Sequence, residues 1–511
     1  MWHGGYVSEI DYTHGYYGEL SPSRLRMVTA LAKQRTSVGE SPSYLELGFG
    51  QGHTLNIHAA ANPGEYWGND FNAGQAATAR ELAEATGAGA QMLDNSFEEL
   101  AARPDLPEFD IIALHGIWSW ISDANRAIIV DIARRRLKPG GIFYVSYNTA
   151  PGWSVAGPLR HLMKQFADRA GSGSLVGKIE QALAFADQVV EADAGYFKAN
   201  PAVVQRLQKL KEQDRRYLAH EYLNHSWDVI PFSEVAEKLS EAKLNFASSA
   251  GSLDLIDSLN FREPALKLME GIEDTVLRQT VRDYLANQQF RRDVFVKGAR
   301  PLSPLEQARY AQGQRYILTC PPESVPTKVQ AGLGSIELRK EIYEPVIETL
   351  AADSYRPKNV SELREDARCA SLSVAQTVQA VIVLTGIGAA APVHSREATE
   401  STANDSARFN AEICRRAEFS SDFRYLASPV TGAGINVNRV DQLFLRADRL
   451  GQKDRVNWVW PILKAEGVRF RKDDRTLESD EENIDYLRQR SKEFSAGRQQ
   501  VLDRLGVSKL A

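Results

Sequence analysis

The segment Tyr44-Leu-Glu-Leu-Gly-Phe-Gly-Gln-Gly52 sets an acidic residue, then glycines at alternate positions, directly after a short apolar run. This spacing suits a strand-to-helix turn approached closely by a ligand. A side chain at Gly48 or Gly50 would collide with that ligand, and the turn needs permissive backbone angles. A dinucleotide site would want another glycine three beyond Gly50, where this chain has His53. Glu46 in place of a pyrophosphate cradle fits a ligand with a cationic amino-acid end, which S-adenosylmethionine (SAM) has and NAD lacks. Asp70, with Phe71 beside it, ends the next apolar run and is placed to accept both ribose hydroxyls; capping of the following helix is a compatible role. Asp94-Asn95-Ser96-Phe97 offers an acid or amide to an adenine amino group and Phe97 as an apolar wall, the alternative being a plain turn.

The residues that could handle a methyl acceptor follow later runs. In open parallel sheets ligands sit beyond the carboxyl ends of the strands, so Leu114-His-Gly-Ile-Trp-Ser-Trp120 faces a reaction centre. There His115 is a base or lines the cofactor. Trp118 and Trp120 are rings able to attract a cation, or else core. Tyr147-Asn-Thr-Ala-Pro-Gly-Trp153 is a second polar-aromatic loop on that edge. Near the start, Asp11–Tyr17 carries Tyr12, Tyr16 and Tyr17, which suggests a lid over the cofactor or a segment docked for stability. The residues to test for catalysis are His115, Tyr16 and Tyr147. Those to test for substrate contact are Tyr12, Tyr17, Trp118, Trp120, Asn148, His220 and Glu221. Nine histidines without an HxxxH pair give no metal site.

The elements that must hold these residues read as α/β. Short apolar runs alternate with helical patterns from Ser43 to Tyr147, the sign of a parallel sheet with crossover helices. Strands are expected at Tyr44–Leu47, Glu65–Asp70, Ala90–Leu93, Phe109–Leu114 and Ile142–Tyr147. Helices open near His53 and cover Gln75–Thr86 and Ala124–Leu137, the last stopped by Lys138-Pro-Gly-Gly141. A helical stretch, Pro158 to Leu218, breaks at Gly171–Gly173. Then a strand near Leu218–Phe232, a helix from Phe232 and a last strand at Leu244–Ala247 return to the same sheet, making the helical stretch an insertion. One more helical region runs Glu263 to Phe290. Helices at Ile342–Ala352, Val360–Arg364 and Ser373–Leu384 suggest a winged-helix-like module, followed by a polar linker at His394–Ser406 and a mostly helical end.

With 511 residues, several domains are expected: a Rossmann-like core over 1–157, the helical insertion over 158–217, a regulatory or middle region over 218–300 partly completing the sheet, the winged-helix-like module over 301–393 and the helical domain over 394–511. Net charge of −5 supplies no general field for nucleic acid or anionic membrane. Three separated cysteines, Cys320, Cys369 and Cys414, fit a reducing cytoplasm and exclude a disulfide framework. Ala380–Val393 is too short and too broken by glycine and proline to span a bilayer, so no membrane insertion is expected.

ELGFGQG, GNDFN, ALHGIWSW, RRRLKPGG and YNTAPGW resemble class I SAM-dependent methyltransferases. DYTHGYYGELSP, HEYLNHSW and LASPVTGAGINV resemble, more narrowly, bacterial methyltransferases carrying a methyltransferase regulatory domain, an arrangement shared by bacterial protein-lysine methyltransferases of outer-membrane proteins. The resemblance implies that Glu46, Gly48, Gly50 and Gly52 hold the methionine moiety, Asp70 the ribose and Asp94 the adenine side, with Leu114 and His115 as pocket wall. The chain has HGIW where amide and nucleobase amine methylases place Asn/Asp-Pro-Pro-Tyr, which counts against nucleic acid. Three readings stand: a methyltransferase of protein lysine, a small-molecule N- or O-methyltransferase whose later modules serve a homodimer, and a non-catalytic SAM-binding regulator. DNA binding is disfavoured because Ser373–Leu384 contains no Lys or Arg.

Overall fold

The computed structural model describes residues 15–171 and 173–510. It begins with α1 (Pro22–Leu31), capped by Ser21. The core then alternates β1 (Ser43–Leu47), α2 (His53–Ala61), β2 (Glu65–Asn69), α3 (Ala73–Thr86), β3 (Gln91–Leu93), α4 (Phe97–Ala102), β4 (Phe109–Leu114), α5 (Asp123–Arg136) and β5 (Leu137–Asn148). A run of helices follows, chief among them α6 (Gly157–Arg169), α7 (Leu175–Glu191), α8 (Pro201–Leu210) and α9 (Arg215–Leu223). Their apolar faces build a separate small core around Leu159, Met163, Ile179 and Leu207. Next come α10 (Phe232–Ser240), β6 (Leu244–Ser249), α11 (Glu263–Glu270), α12 (Thr275–Ala286) and β7 (Phe290–Lys297).

Among the described residues the main sheet has seven strands in the order β3-β2-β1-β4-β5-β7-β6. β1 to β5 pair in parallel, while β7 runs antiparallel to both β5 and β6. Strand alternation sends successive side chains to opposite faces, and this decides which residues reach the site. On β1, Leu45 and Leu47 join one core with Ile112, Leu114, Phe143, Val145 and Tyr147. Tyr44, Ile111, Ala113 and Tyr144 lie in the core on the other face.

The structure departs from expectation at five places. Lys138–Gly141 is not a stop between helix and strand: β5 begins at Leu137, and the extra residues form an irregularity opposite Phe109 and Ile111. The expected strand over Leu218–Phe232 does not form: the chain is helical to Leu223 and irregular over 224–231. α9 is capped by Asp214, which accepts from the amides of Arg216 and Tyr217. The region from Glu263 splits at Gly271–Asp274 into α11 and α12, whose Leu268 and Tyr284 stay exposed. The last strand of the sheet is β7 rather than Leu244–Ala247. Its Phe-Arg-Arg-Asp start hides the strand signal, because Arg291 and Asp293 are charged yet buried as an ion pair. His394–Ser406 is not a linker: a helix spans Arg396–Arg416 and packs on α2 and α3 through small polar residues. There Ser406 donates to the carbonyl of Ala60.

Beyond β7, β8 (Arg315–Leu318) is the middle of a three-stranded antiparallel sheet with β9 (Lys358–Asn359) and β10 (Ala390–Pro392). Helices at Lys340–Tyr355, Val360–Glu365 and Val374–Gly386 stand where the sequence places three. Side chains from Leu20 through the main sheet to Leu384 share one apolar cluster. A second joins Ile57 and Leu82 to residues as far as Val507. A hairpin of β11 (Tyr425–Ser428) and β12 (Ala433–Asn436) lies against α2. No described helix is long and apolar enough to cross a membrane.

Candidate active site

A cavity of about 600 Å³ opens beyond the carboxyl ends of β1, β2, β4 and β5. Its floor is the turn between β1 and α2. Gly48, Gly50 and Gly52 have φ of 71°, 59° and 69°, the left-handed region that glycine adopts without penalty. Their roles differ. A Cβ on Gly48 would lie 2.8 Å from Ile117, and one on Gly52 only 2.3 Å from the Cβ of Ala79, so Gly52 lets α2 close on α3. A Cβ on Gly50 would meet nothing within 4 Å and stands in open space. The Gly50 amide donates to Asp70 at 2.8 Å, and Asp70 also accepts from the Asn72 amide at 3.0 Å. Asn72, not Asp70, caps α3.

Glu46 sits on the cavity side of β1, buried, with the Tyr44 hydroxyl 3.5 Å away. Burial lifts its pKa to about 8; the Tyr44 contact opposes this and Asp70 adds to it. Burial likewise lifts Asp70 to about 6 against the pull of its two backbone donors. Each carboxyl is thus in want of a positive or hydrogen-donating ligand. Phe71, Phe97 and Ile117 complete this half of the wall.

The other half is aromatic. Tyr17, Trp120, Trp153, Tyr217 and Phe290 line it together with His115, Asn148, His220, Glu221, Asn224 and Arg206. The Tyr17 ring lies on His115 with centroids 3.8 Å apart. His115 Nδ1 is 2.8 Å from the Tyr144 hydroxyl and 3.3 Å from that of Ser146, which accepts from the Gly116 amide. Burial drops the His115 pKa to about 4, with Glu19 opposing and Arg292 adding. Glu221 is raised to about 8 by burial, against Arg160 and Arg206. Arg206 lies 3.8 Å over the Trp153 ring and donates to Gln289. The Nδ2 of Asn148 is buried without a hydrogen-bond partner.

Of the residues singled out from sequence, the cavity gathers Glu46, Gly48, Gly50, Gly52, Asp70, Phe71, Phe97, His115, Tyr17, Trp120, Asn148, His220 and Glu221. Others are corrected. Tyr147 has the wrong strand parity: it points to the opposite face, fully buried, and its hydroxyl donates to Asp293 at 2.7 Å. Leu114 and Trp118 pack in that same core. Tyr16 turns away from the cavity; its hydroxyl accepts from the Gly434 amide at 2.6 Å, and burial raises its pKa. Asp94 is half exposed beside Arg80 and does not line the cavity. Nor do Asn95, whose backbone is bonded to Asn69, and Ser96, which caps α4. Tyr12 lies outside the described residues. Trp153, Arg206, Tyr217 and Phe290 went unpredicted as lining residues. Arg206 and Tyr217 belong to the insertion helices, whose docking no local pattern announces.

SAM fits this cavity on the structure's own terms: two buried carboxyls flank a glycine turn whose Gly50 leaves room, and an unpartnered amide waits at Asn148. Comparisons agree. Residues 45–141 match a methyltransferase domain and residues 214–297 a predicted methyltransferase regulatory domain. The uncharacterized protein sll1526 of Synechocystis is 39% identical over 510 residues, 99% of this chain and all of that one. The uncharacterized protein RP789 of Rickettsia prowazekii is 24% identical over 300 residues, 55% of this chain and 51% of that one. The solved structure of PKMT2 from Rickettsia typhi in complex with AdoHcy superposes with a TM-score of 0.68 at 17% identity, covering 94% of this chain and 98% of that one. The chain therefore belongs, with its Synechocystis relative, to the class I SAM-dependent methyltransferases that carry a methyltransferase regulatory domain.

Proposed function

We propose that this methyltransferase modifies the side-chain nitrogen of lysine in a protein. The observation that carries this is Glu221, a partly buried carboxyl that lines the same cavity as the rings of Tyr17, Trp120, Trp153, Tyr217 and Phe290. Aromatic walls suit a slender apolar stem, and their faces suit the ammonium at its end. The Rickettsia typhi neighbour, a protein-lysine methyltransferase, supports the reading.

SAM, when bound, supplies an electrophilic methyl group on a sulfonium. Glu46 and Asp70 hold its amino-acid and ribose ends, and Gly50 leaves the approach open. Alignment of the nucleophile supplies much of the rate in such a displacement. Glu221, in its carboxylate form, takes the proton that an ammonium must lose. With a pKa raised to about 8, that form is the minority at pH 7 and a stronger base than an ordinary carboxylate, so turnover should rise as pH climbs toward 8. His115 stays neutral and, held by two hydroxyls at Nδ1, lines the site rather than serving as the base. Asn148 offers an amide donor beside it.

The five-part division at 157, 217, 300 and 393, with a winged-helix-like fourth part, belongs to this reading, the later parts gripping the protein substrate. So does a cytoplasmic location. Purified protein incubated with labelled SAM and fractionated cell extract, followed by mass spectrometry, tests it. Label is expected on lysine side chains, lost in Glu221→Gln while AdoHcy binding persists. Label only on metabolites would replace it with a small-molecule reading.

A further inference from the structure

Two segments quoted for their family resemblance, the GYYGELSP part of one and LASPVTGAGINV, meet away from the glycine turn. Tyr16 from the first, Arg24 two residues beyond its end, and Thr431 and Gly434 from the second line a separate cavity of about 500 Å³, closed by Cys320 and by Arg498 near the chain end. Among its described lining residues there is no carboxylate. Both arginines bond only neutral carbonyls: Arg24 that of Thr385, Arg498 those of Thr319 and Asn436. Neither makes a direct ion pair among the described residues, and Glu19 and Asp441 act on them only at longer range. The Nε of Arg24 and the hydroxyl of Thr431 are buried without partners. The first turn of α1 also lines the space, and a helix start favours negative charge. Two guanidinium groups drawn partly out of water with no ion-pair partner in contact favour an anion between them.

We propose that this second cavity binds a small molecule bearing a carboxylate or phosphate group, and that its occupancy is coupled to the active cavity through Tyr16 and Tyr17. These neighbours face opposite ways. Tyr16 is fastened to Gly434 beside the second cavity, while Tyr17 lies on His115 in the first. A ligand that settles Tyr16 therefore settles the ring over His115.

Cys320 provides a local reporter: it lines the second cavity and is partly exposed, whereas Cys369 and Cys414 are buried. Full-length protein is alkylated with N-ethylmaleimide in chloride, inorganic phosphate or citrate at equal ionic strength, and Cys320 modification is followed by mass spectrometry. Phosphate or citrate is expected to slow it about fivefold or more, the effective anion telling phosphate from carboxylate chemistry. The protection should weaken in Arg24→Lys and in Ser324→Asp, which adds a carboxylate at the exposed rim without touching a buried arginine. Equal rates in all three salts, or protection unchanged in both variants, would overturn the site. The protecting anion should also shift the AdoHcy dissociation constant about threefold or more. Protection with no such shift would overturn the coupling. Failure of AdoHcy to bind at all would instead count against the SAM site, leaving the Cys320 result standing.

Discussion

Gly50 and Gly52 are two residues apart in one turn, share a left-handed backbone, and should respond oppositely to the same methyl group. In Gly52→Ala the new Cβ would sit 2.3 Å from the Cβ and 3.2 Å from the Cα of Ala79. α2 and α3 must then separate. The left-handed conformation costs a residue with a Cβ about 1–2 kcal/mol, and overpacking typically adds about 1–3 kcal/mol. Gly50→Ala carries only the first cost, because nothing lies within 4 Å of its Cβ. In thermal melts Gly52→Ala should therefore fall below Gly50→Ala by several degrees, taking about 2–4 °C per kcal/mol for a unit of 150–250 residues. Calorimetry with AdoHcy should rank them the other way. The Gly50 methyl group projects into the space the ligand needs and should weaken binding about tenfold or more, equivalent to about 1.4 kcal/mol. Gly52→Ala should weaken it less. If Gly50→Ala binds AdoHcy like the parent protein, the ligand does not approach the turn from that side and the assignment of the floor fails.

The residues that stand away from the cavity make sharper tests than those that line it. Tyr147→Phe removes a hydroxyl bonded to a buried carboxylate and should cost about 1.5–3 kcal/mol of stability, with AdoHcy affinity unchanged; a loss of affinity at unaltered melting temperature would return Tyr147 to the site. Asp94→Ala should leave AdoHcy binding within about threefold, the reach of an exposed charge, as calorimetry can read. For pH dependence, Glu221 holds its proton in the native state up to about 8 but an ordinary glutamate releases it near 4.5. The native state then binds more protons across that window, so this group's contribution to stability is whole below 4.5 and is lost as pH rises to 8. Glu221→Gln should accordingly melt higher relative to the parent at pH 9 than at pH 5, and an equal difference at both would contradict the burial argument.

What local chemistry could announce was legible. Short apolar runs, each followed by a turn with glycine, aspartate or asparagine, place β1 to β4 and α2, α3 and α5, because a parallel strand covered on both faces is largely apolar; the short α4 carried no such signal. Gly50 and Asp70 were readable because the turn uses them, Gly50 for its left-handed backbone and Asp70 as acceptor of the Gly50 amide; Glu46 was readable as an acid on an otherwise apolar strand. β7 was not, since a strand beginning with arginine and aspartate is tolerable only where Asp283, Asp293 and Tyr147 already surround Arg291. The first half of the Arg396–Arg416 helix was mistaken for a linker because the residues it buries there are Ala398, Thr402 and Ser406, whose burial depends on close approach rather than on hydrophobicity.

Side-chain direction belonged to the tertiary structure. Tyr147 and Asn148 are adjacent in a motif that promised both to the reaction centre, yet the pleat admits only Asn148. Likewise Tyr16 and Tyr17 part company, one to the C-terminal hairpin and one to His115. The amino-acid order determined that a SAM turn would form and which groups would stand near it. Which of them face the ligand was settled when the sheet closed and the insertion helices docked, since strand parity and packing between distant segments are properties of the whole chain.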